Sequence, residues 1–326
     1  MKKGLIVSFM AITAIGATSC GTQKGNGAQD DFKWIIDKFD DVKVLQYKVN
    51  GFDQLTLQQK TLIYYLNEAA LCGRDILFDQ NFKYNLPIRR TLEAIYINYN
   101  GHKETPQWHS FEKYLKKVWF ANGIHHHYSN DKFIPEFGEE YFDTLIAAIP
   151  EDKLPLDFGT KEELLAAVKP AMFDPALYPT RLNQTAGQDL LLTSAMNYYD
   201  GVAQDEAEVY YACMAANNGK DMTESQKEAF YTGKLREYRA AKKAEQNWKG
   251  KAGDETPTQK FFRVLLEGQP EMDISYGLNS QLAKLDGKLV ERTWKVGGMY
   301  SPAIERIIYW LDKARGVAEE PQKEIL

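Results

Sequence analysis

Apolar residues recur every three or four positions along several stretches of the chain, which is the spacing typical of amphipathic helices. The sequence predicts helices over residues 55–77, 88–99, 106–119, 221–251 and 301–314, with short helices broken by prolines over residues 139–178. Start signals support the first and last of the long helices. Thr56 with Gln59 forms a capping-box pattern, and Ser301 is followed by Pro302.

The first long helix is expected to continue towards residues 79–81. It contains Gly73, which costs a helix interior about 1 kcal/mol relative to alanine. We expect this glycine either to admit a close contact with another helix or to mark a kink.

The patterns that predict strands cover shorter stretches of the chain than those that predict helices. Residues 31–49 begin with helical spacing and change to alternation, which predicts a short helix running into a strand. Residues 273–296 alternate on both sides of Asp286-Gly287, a strong hairpin signal. The predicted fold class is α+β, mainly α, with helices around a small antiparallel β core.

A polar loop follows the helix over residues 106–119. Asn122 and Gly123 are a helix-stop signal, and Pro135 prevents simple continuation of a helix. Between them lie three consecutive histidines, His125–His127, followed by Tyr128. Adjacent side chains cannot all face one side of a regular element, so we expect a loop that displays polar rings.

Three interpretations of the histidine run remain open. Adjacent imidazoles make poor metal ligands, because a catalytic zinc usually has three separated protein ligands and one open position. The rings can instead satisfy backbone groups within an ordinary loop. They can also line a cleft, where they would offer hydrogen bonds and aromatic surface to a ligand.

Composition narrows the class of protein. The chain has 326 residues, a formal net charge of −5 and 44% hydrophobic residues, which suits a globular protein of one or two domains. Its mildly acidic balance argues against nucleic acid as a partner.

The amino terminus has the pattern of a targeting segment. Lys2 and Lys3 precede an apolar run too short to span a bilayer as a mature helix. Ala17-Thr18-Ser19-Cys20 resembles a bacterial lipoprotein cleavage box, which makes residues 1–19 a signal peptide and Cys20 the lipidated residue. An ordinary signal peptide with an incidental cysteine is the alternative. Residues 20–30 read as a flexible tether. The expected location is the bacterial cell envelope, periplasmic or at the outer membrane, with the membrane as a partner through the lipid anchor.

Several segments together resemble the dipeptidyl peptidase III family of zinc exopeptidases. In the polar loop the matching residues are Gly123, Tyr128 and the run Lys132-Phe133-Ile134-Pro135. The tyrosine-rich run over residues 55–77, the turn at residues 198–202 and the stretch over residues 276–282 also resemble family segments, in the same order. The resemblance covers about residues 31–320.

The resemblance implies a fold, a reaction and a substrate. Family members have two lobes and release dipeptides from the amino termini of short peptides, using a zinc-bound water with a glutamate as base. Residues 31–326 would form the lobe opposite the zinc. Substrate-binding residues are expected in the polar loop: Asn122, His125, His126, His127 and Tyr128.

The catalytic residues of the family are absent from this sequence. A zinc peptidase of this kind needs two histidines one helical turn apart with a neighbouring glutamate, here His-Glu-x-x-Gly-His. The five histidines include none followed by glutamate. We therefore expect no catalytic residue, no metal ligand and no activity in this chain alone, and we interpret it as truncated before the zinc motifs. The alternative function is a non-catalytic envelope lipoprotein acting as a peptide-binding or scaffold module.

Overall fold

The structure, a computed structural model, describes residues 32–156, 159–217, 220–267 and 279–326. The predicted signal peptide, Cys20 and the tether up to residue 30 lie outside the described residues, as do most of residues 273–279. The chain divides into two compact units between Lys48 and Val49.

The described part of the first unit contains a β-hairpin made of β1 (Ile35–Phe39) and β2 (Val42–Leu45), paired antiparallel. Asp40 lies between the strands with φ of 50°, a conformation that aspartate tolerates better than most residues. The expected short helix at the start of this segment is wrong. Its few apolar residues fit helical and strand periods equally, and the hairpin satisfies the backbone groups through cross-strand bonds.

The second unit is mainly helical. Its helices are α1 (Leu57–Cys72), α2 (Arg74–Asn81), α3 (Asn85–Asn98), α4 (Pro106–Ala121), α5 (Glu139–Ala147), α6 (Lys161–Phe173), α7 (Gln204–Ala216), α8 (Glu224–Glu245), α9 (Pro257–Leu265), α10 (Ser301–Val317) and α11 (Gln322–Ile325). Its strands are β3 (Tyr199–Asp200), β4 (Ser280–Leu285) and β5 (Lys288–Thr293). The predicted class, α+β and mainly α, is confirmed.

The long helix predicted from Thr56 is divided into α1 and α2 at Gly73. The Thr56 hydroxyl accepts a hydrogen bond from the backbone amide of Gln59, and Oε1 of Gln59 accepts one from the backbone amide of Thr56, so the predicted capping box is confirmed. A β-carbon added to Gly73 would lie 3.7 Å from Cδ1 of Ile307 on α10, an ordinary packing distance. Of the two roles expected for Gly73, the break in the helix is the one observed.

The largest core lies among α3, α4, α5 and α6. Fully buried side chains include Leu92, Phe111, Leu115, Phe142 and Leu164. The buried positions of α4 recur every three or four residues, as the sequence pattern predicts. This packed core is the support from which the polar loop after α4 emerges.

A small mixed sheet completes the unit. β4 and β5 form the hairpin predicted from Asp286-Gly287, and both turn residues have positive φ, 49° and 78°. β3 pairs parallel with β4 through Tyr199 and Leu282. Because β3 has only two residues, this parallel pair was not visible as a strand pattern.

Details of two helices differ from the sequence expectations. Pro170, expected to break a helix, lies inside α6 within its last turn. Tyr300, with φ of 64°, is the N-cap of α10, whereas Ser301 is its first residue and accepts a hydrogen bond from the amide of Gly297. Within the described residues, no helix is both long and apolar enough to cross a bilayer.

Candidate functional site

The polar loop begins where α4 ends. Asn122 adopts φ of 54°, and Gly123 follows with φ of 145°. A β-carbon on Gly123 would lie 2.1 Å from Nδ2 of Asn85, so only glycine fits here. The predicted helix stop at Asn122-Gly123 is confirmed.

Asn85 holds the first residues of the loop against α2. Its side chain is fully buried, its Nδ2 donates to the carbonyl oxygen of Phe78 over 3.0 Å, and its Oδ1 accepts from the amide of Ile124 over 3.0 Å. The carbonyl of Asn122 accepts from Asn81 Nδ2 over 3.1 Å. The side-chain amides of Asn81 and Asn85 thus pair with backbone groups that the end of α4 would otherwise leave without a hydrogen bond.

His125 points into the core. It is 2% exposed, and its Nε2 lies 2.9 Å from the carbonyl oxygen of Tyr178. Because a carbonyl can only accept, Nε2 carries the proton. Burial is the main cause that lowers the pKa of His125 to about 4. The hydrogen bond to the Tyr178 carbonyl opposes this shift, and the nearby positive charges of Lys132 and Arg181 contribute to it. The ring is therefore neutral at pH 7.

His126 organises a tight turn. Its Nδ1 accepts from the backbone amides of Tyr128 and Ser129, over 3.2 and 3.1 Å. Its own amide donates to the carbonyl of Asp131 over 2.8 Å, and its carbonyl accepts from the amide of Asn130 over 3.0 Å. One imidazole nitrogen is thus used in closing the turn.

Two cations fix the turn to the rest of the unit. Lys132 Nζ donates to the carbonyls of Ala171 and Leu177, over 3.1 and 2.6 Å, and also to the carbonyl of Asp174. Arg181 donates to Asn130 Oδ1 over 3.0 Å and to the carbonyl of His127 over 3.2 Å. The turn is held on both sides, so its outer surface is preorganised.

The outer surface of the turn is aromatic. The His126 and His127 rings stack with centroids 4.7 Å apart, and the His127 and Tyr128 centroids are 4.2 Å apart. Tyr128 is 83% exposed. Phe120, at the end of α4, meets the His127 ring edge to face at 5.0 Å. We call the surface formed by His126, His127 and Tyr128 the aromatic turn.

The structure therefore divides the predicted site residues into two groups. The structure brings His126, His127 and Tyr128 together on one surface, whereas it places His125 in the core and uses the backbone of Asn122 to end α4. Sequence reasoning missed Asn85, Tyr178 and Arg181, which shape the turn from distant parts of the chain. No local pattern marks them, since their contacts span 39 to 54 residues.

The histidines do not fit a zinc site. The hydrogen-bonding nitrogens of His125 and His126 face backbone groups, and consecutive ligands give poor geometry. In the part of the chain that the structure describes, no group of three or more His, Cys, Asp or Glu side chains is arranged to hold a metal ion.

Neither protein-family models nor curated proteins gave a match to this chain.

Proposed function

We propose that this chain forms the amino-terminal lobe of a dipeptidyl peptidase III-like zinc exopeptidase, and that its aromatic turn borders the groove for the peptide. Zinc and the catalytic glutamates would belong to residues outside this sequence. The part assigned to this chain is binding and positioning of short peptides, and it includes no chemical step.

The aromatic turn is the observation that supports the binding role. The exposed ring of Tyr128 and the half-buried rings of His126 and His127 offer apolar faces to peptide side chains, and imidazole N–H groups add polar contacts at the edges. The anchors at Lys132 and Arg181 hold the turn before any ligand arrives. Preorganisation reduces the entropy that binding has to offset.

The binding role is tested by titration with the free-amino-terminus tetrapeptide Ala-Ala-Phe-Ala, followed through backbone amide resonances of the turn. We expect the amides of residues 127–129 to shift, and Tyr128→Ala to weaken binding about tenfold. Tyr309→Ala is the matched control, because Tyr309 is an exposed tyrosine on α10. Equal affinities of the two variants, or no shift in the wild-type turn, would contradict the proposal.

The catalytic part of the proposal has a separate test. The purified chain with added zinc should release no naphthylamine from a dipeptidyl-naphthylamide, because its sequence contains no His-Glu-x-x-Gly-His motif. Release above that of a heat-denatured control would refute this inactivity. An in-frame continuation beyond codon 326 that encodes the motif would support the peptidase. A stop codon there would support the alternative, a non-catalytic peptide-binding or scaffold module.

The proposed location is the bacterial cell envelope, through a lipid on Cys20. Metabolic labelling with a fatty acid should mark the wild-type chain and leave Cys20→Ser unlabelled. Equal labelling of both chains would contradict lipidation at Cys20.

A further inference from the structure

A cavity of about 640 Å³ lies between α7, α8 and the turn that joins β4 to β5. Its volume falls within the range of small-molecule sites, roughly 300–1,000 Å³. None of the residues of the aromatic turn lines it. Whatever this cavity binds is therefore independent of the peptide site proposed above.

The inner wall of the cavity is largely apolar. Cys213 and Met214 contribute from α7, Tyr231 from α8, and Leu289 from β5. Tyr210 meets Tyr231 edge to face, with centroids 5.9 Å apart. Burial raises the pKa of the Cys213 thiol to about 12, so this side chain is a neutral part of the wall. Such a wall suits the hydrocarbon or aromatic body of a ligand.

The rim of the cavity carries a positive excess. Lys227 pairs with Glu224 at 2.7 Å, and Lys288 pairs with Glu228 at 3.1 Å. Lys220 also lines the cavity, is exposed, and has no ion pair with any residue that the structure describes. Two pairs and one unpaired ammonium leave a formal charge of +1 at the rim, in a chain whose net charge is −5. This charge complements one negative charge on a ligand.

We propose that the cavity binds a small amphipathic monoanion, an aryl or alkyl carboxylate. Its apolar body contacts Met214, Tyr231 and Leu289, and its carboxylate pairs with Lys220 at the rim. The ligand needs both parts: the body removes apolar wall from water, and the charge selects anions over cations of the same shape.

Methionine-methyl NMR tests this assignment on the intact chain. The chain has eight methionines, and Met214→Leu identifies the signal of the one in the cavity wall. Titration with 4-phenylbutyrate should shift the Met214 signal in a saturable way. Its cationic counterpart of equal shape, 4-phenylbutylamine, should bind at least about fivefold more weakly, as expected for one Coulomb contact near water. No shift, or equal affinity for both probes, would overturn the proposal.

Two lysine variants test whether the carboxylate of the ligand pairs with Lys220. Lys220→Gln should weaken 4-phenylbutyrate binding about fivefold and leave 4-phenylbutylamine binding unchanged or stronger. Lys234→Gln is the matched control, since Lys234 lies on α8, pairs with Glu237 at 2.7 Å and does not line the cavity. If Lys234→Gln weakens binding as much as Lys220→Gln, the effect is one of general charge and the site is refuted.

Discussion

The hydroxyl of Tyr300 donates a hydrogen bond to Oδ2 of Asp79 over 2.6 Å, which joins the N-cap of α10 to the end of α2. The same carboxylate oxygen accepts from Asn197 Nδ2 over 3.1 Å, and Asn197 in turn accepts from Gln281 Nε2 on β4 over 2.6 Å. Residues from two helices, a loop and the sheet are thus joined through one carboxylate. Burial raises the pKa of Asp79, and the bonds from Tyr300 and Asn197 oppose that rise.

Removing the Tyr300 hydroxyl should therefore destabilise the protein. We expect Tyr300→Phe to lower the free energy of unfolding by about 2 kcal/mol at pH 7, since a hydrogen bond to a charged group contributes about that much. The loss should shrink when Asp79→Asn is also present, because the neutral amide is a weaker acceptor. Urea unfolding of the two single variants and the double variant measures this coupling.

Tyr309 provides the control for that cycle. It lies on the same helix, is 54% exposed, and loses its hydroxyl in Tyr309→Phe. Substitutions of this kind at exposed positions change the free energy of unfolding by no more than about 0.5 kcal/mol. If Tyr300→Phe costs as little as Tyr309→Phe, the bond to Asp79 does not hold α10 to α2.

Local signals in the sequence were enough to predict the structure at places where neighbouring residues determine the backbone conformation. Asn122-Gly123 ends α4 and Asp286-Gly287 turns the β4–β5 hairpin, in both cases because those residue types accept positive φ. The helix expected where β1 (Ile35–Phe39) lies was wrong, because five residues are too few to distinguish a period of 3.6 from a period of 2.

The candidate site was predictable in position but not in geometry. The helix stop and the histidine run placed a polar loop correctly after α4. Which imidazole is buried depends on Tyr178, 53 residues away, and on Asn85, which precedes the loop by 39 residues. Contacts of this kind are set by packing of whole helices, so neither spacing nor composition indicates them.

Gly123 should tolerate no side chain. Gly123→Ala would have to adopt φ of 145° and move the buried amide of Asn85, which supports Ile124. We expect a loss of about 3 kcal/mol or more in the free energy of unfolding, from backbone strain together with a broken buried hydrogen bond. Calorimetry or urea unfolding measures this loss.

Gly187→Ala separates those two causes. Gly187 has φ of 83° with open space where a β-carbon would lie, so its substitution adds strain without a clash. A cost of about 1 kcal/mol is expected there. Equal losses for the two variants would show that Asn85 contributes nothing to the position of the loop.

His125 should make stability depend on pH. Its pKa is about 4 in the folded protein, because burial disfavours the charged ring, against about 6.5 for an unfolded histidine. Between these values the unfolded chain binds a proton that the folded chain does not, so the free energy of unfolding falls as pH drops from about 6.5 to about 4. The difference in pKa corresponds to a loss on the order of 3 kcal/mol.

His125→Gln should remove this dependence. A glutamine amide can donate to the Tyr178 carbonyl as Nε2 of His125 does, but it does not titrate. We expect the unfolding free energy of this variant to change less than that of the wild type between pH 7 and pH 4, with the two curves converging as the pH falls. His109→Gln, which replaces an exposed histidine of α4, should keep the wild-type profile. Wild type and His125→Gln with parallel pH profiles would show that His125 is not held neutral in the core.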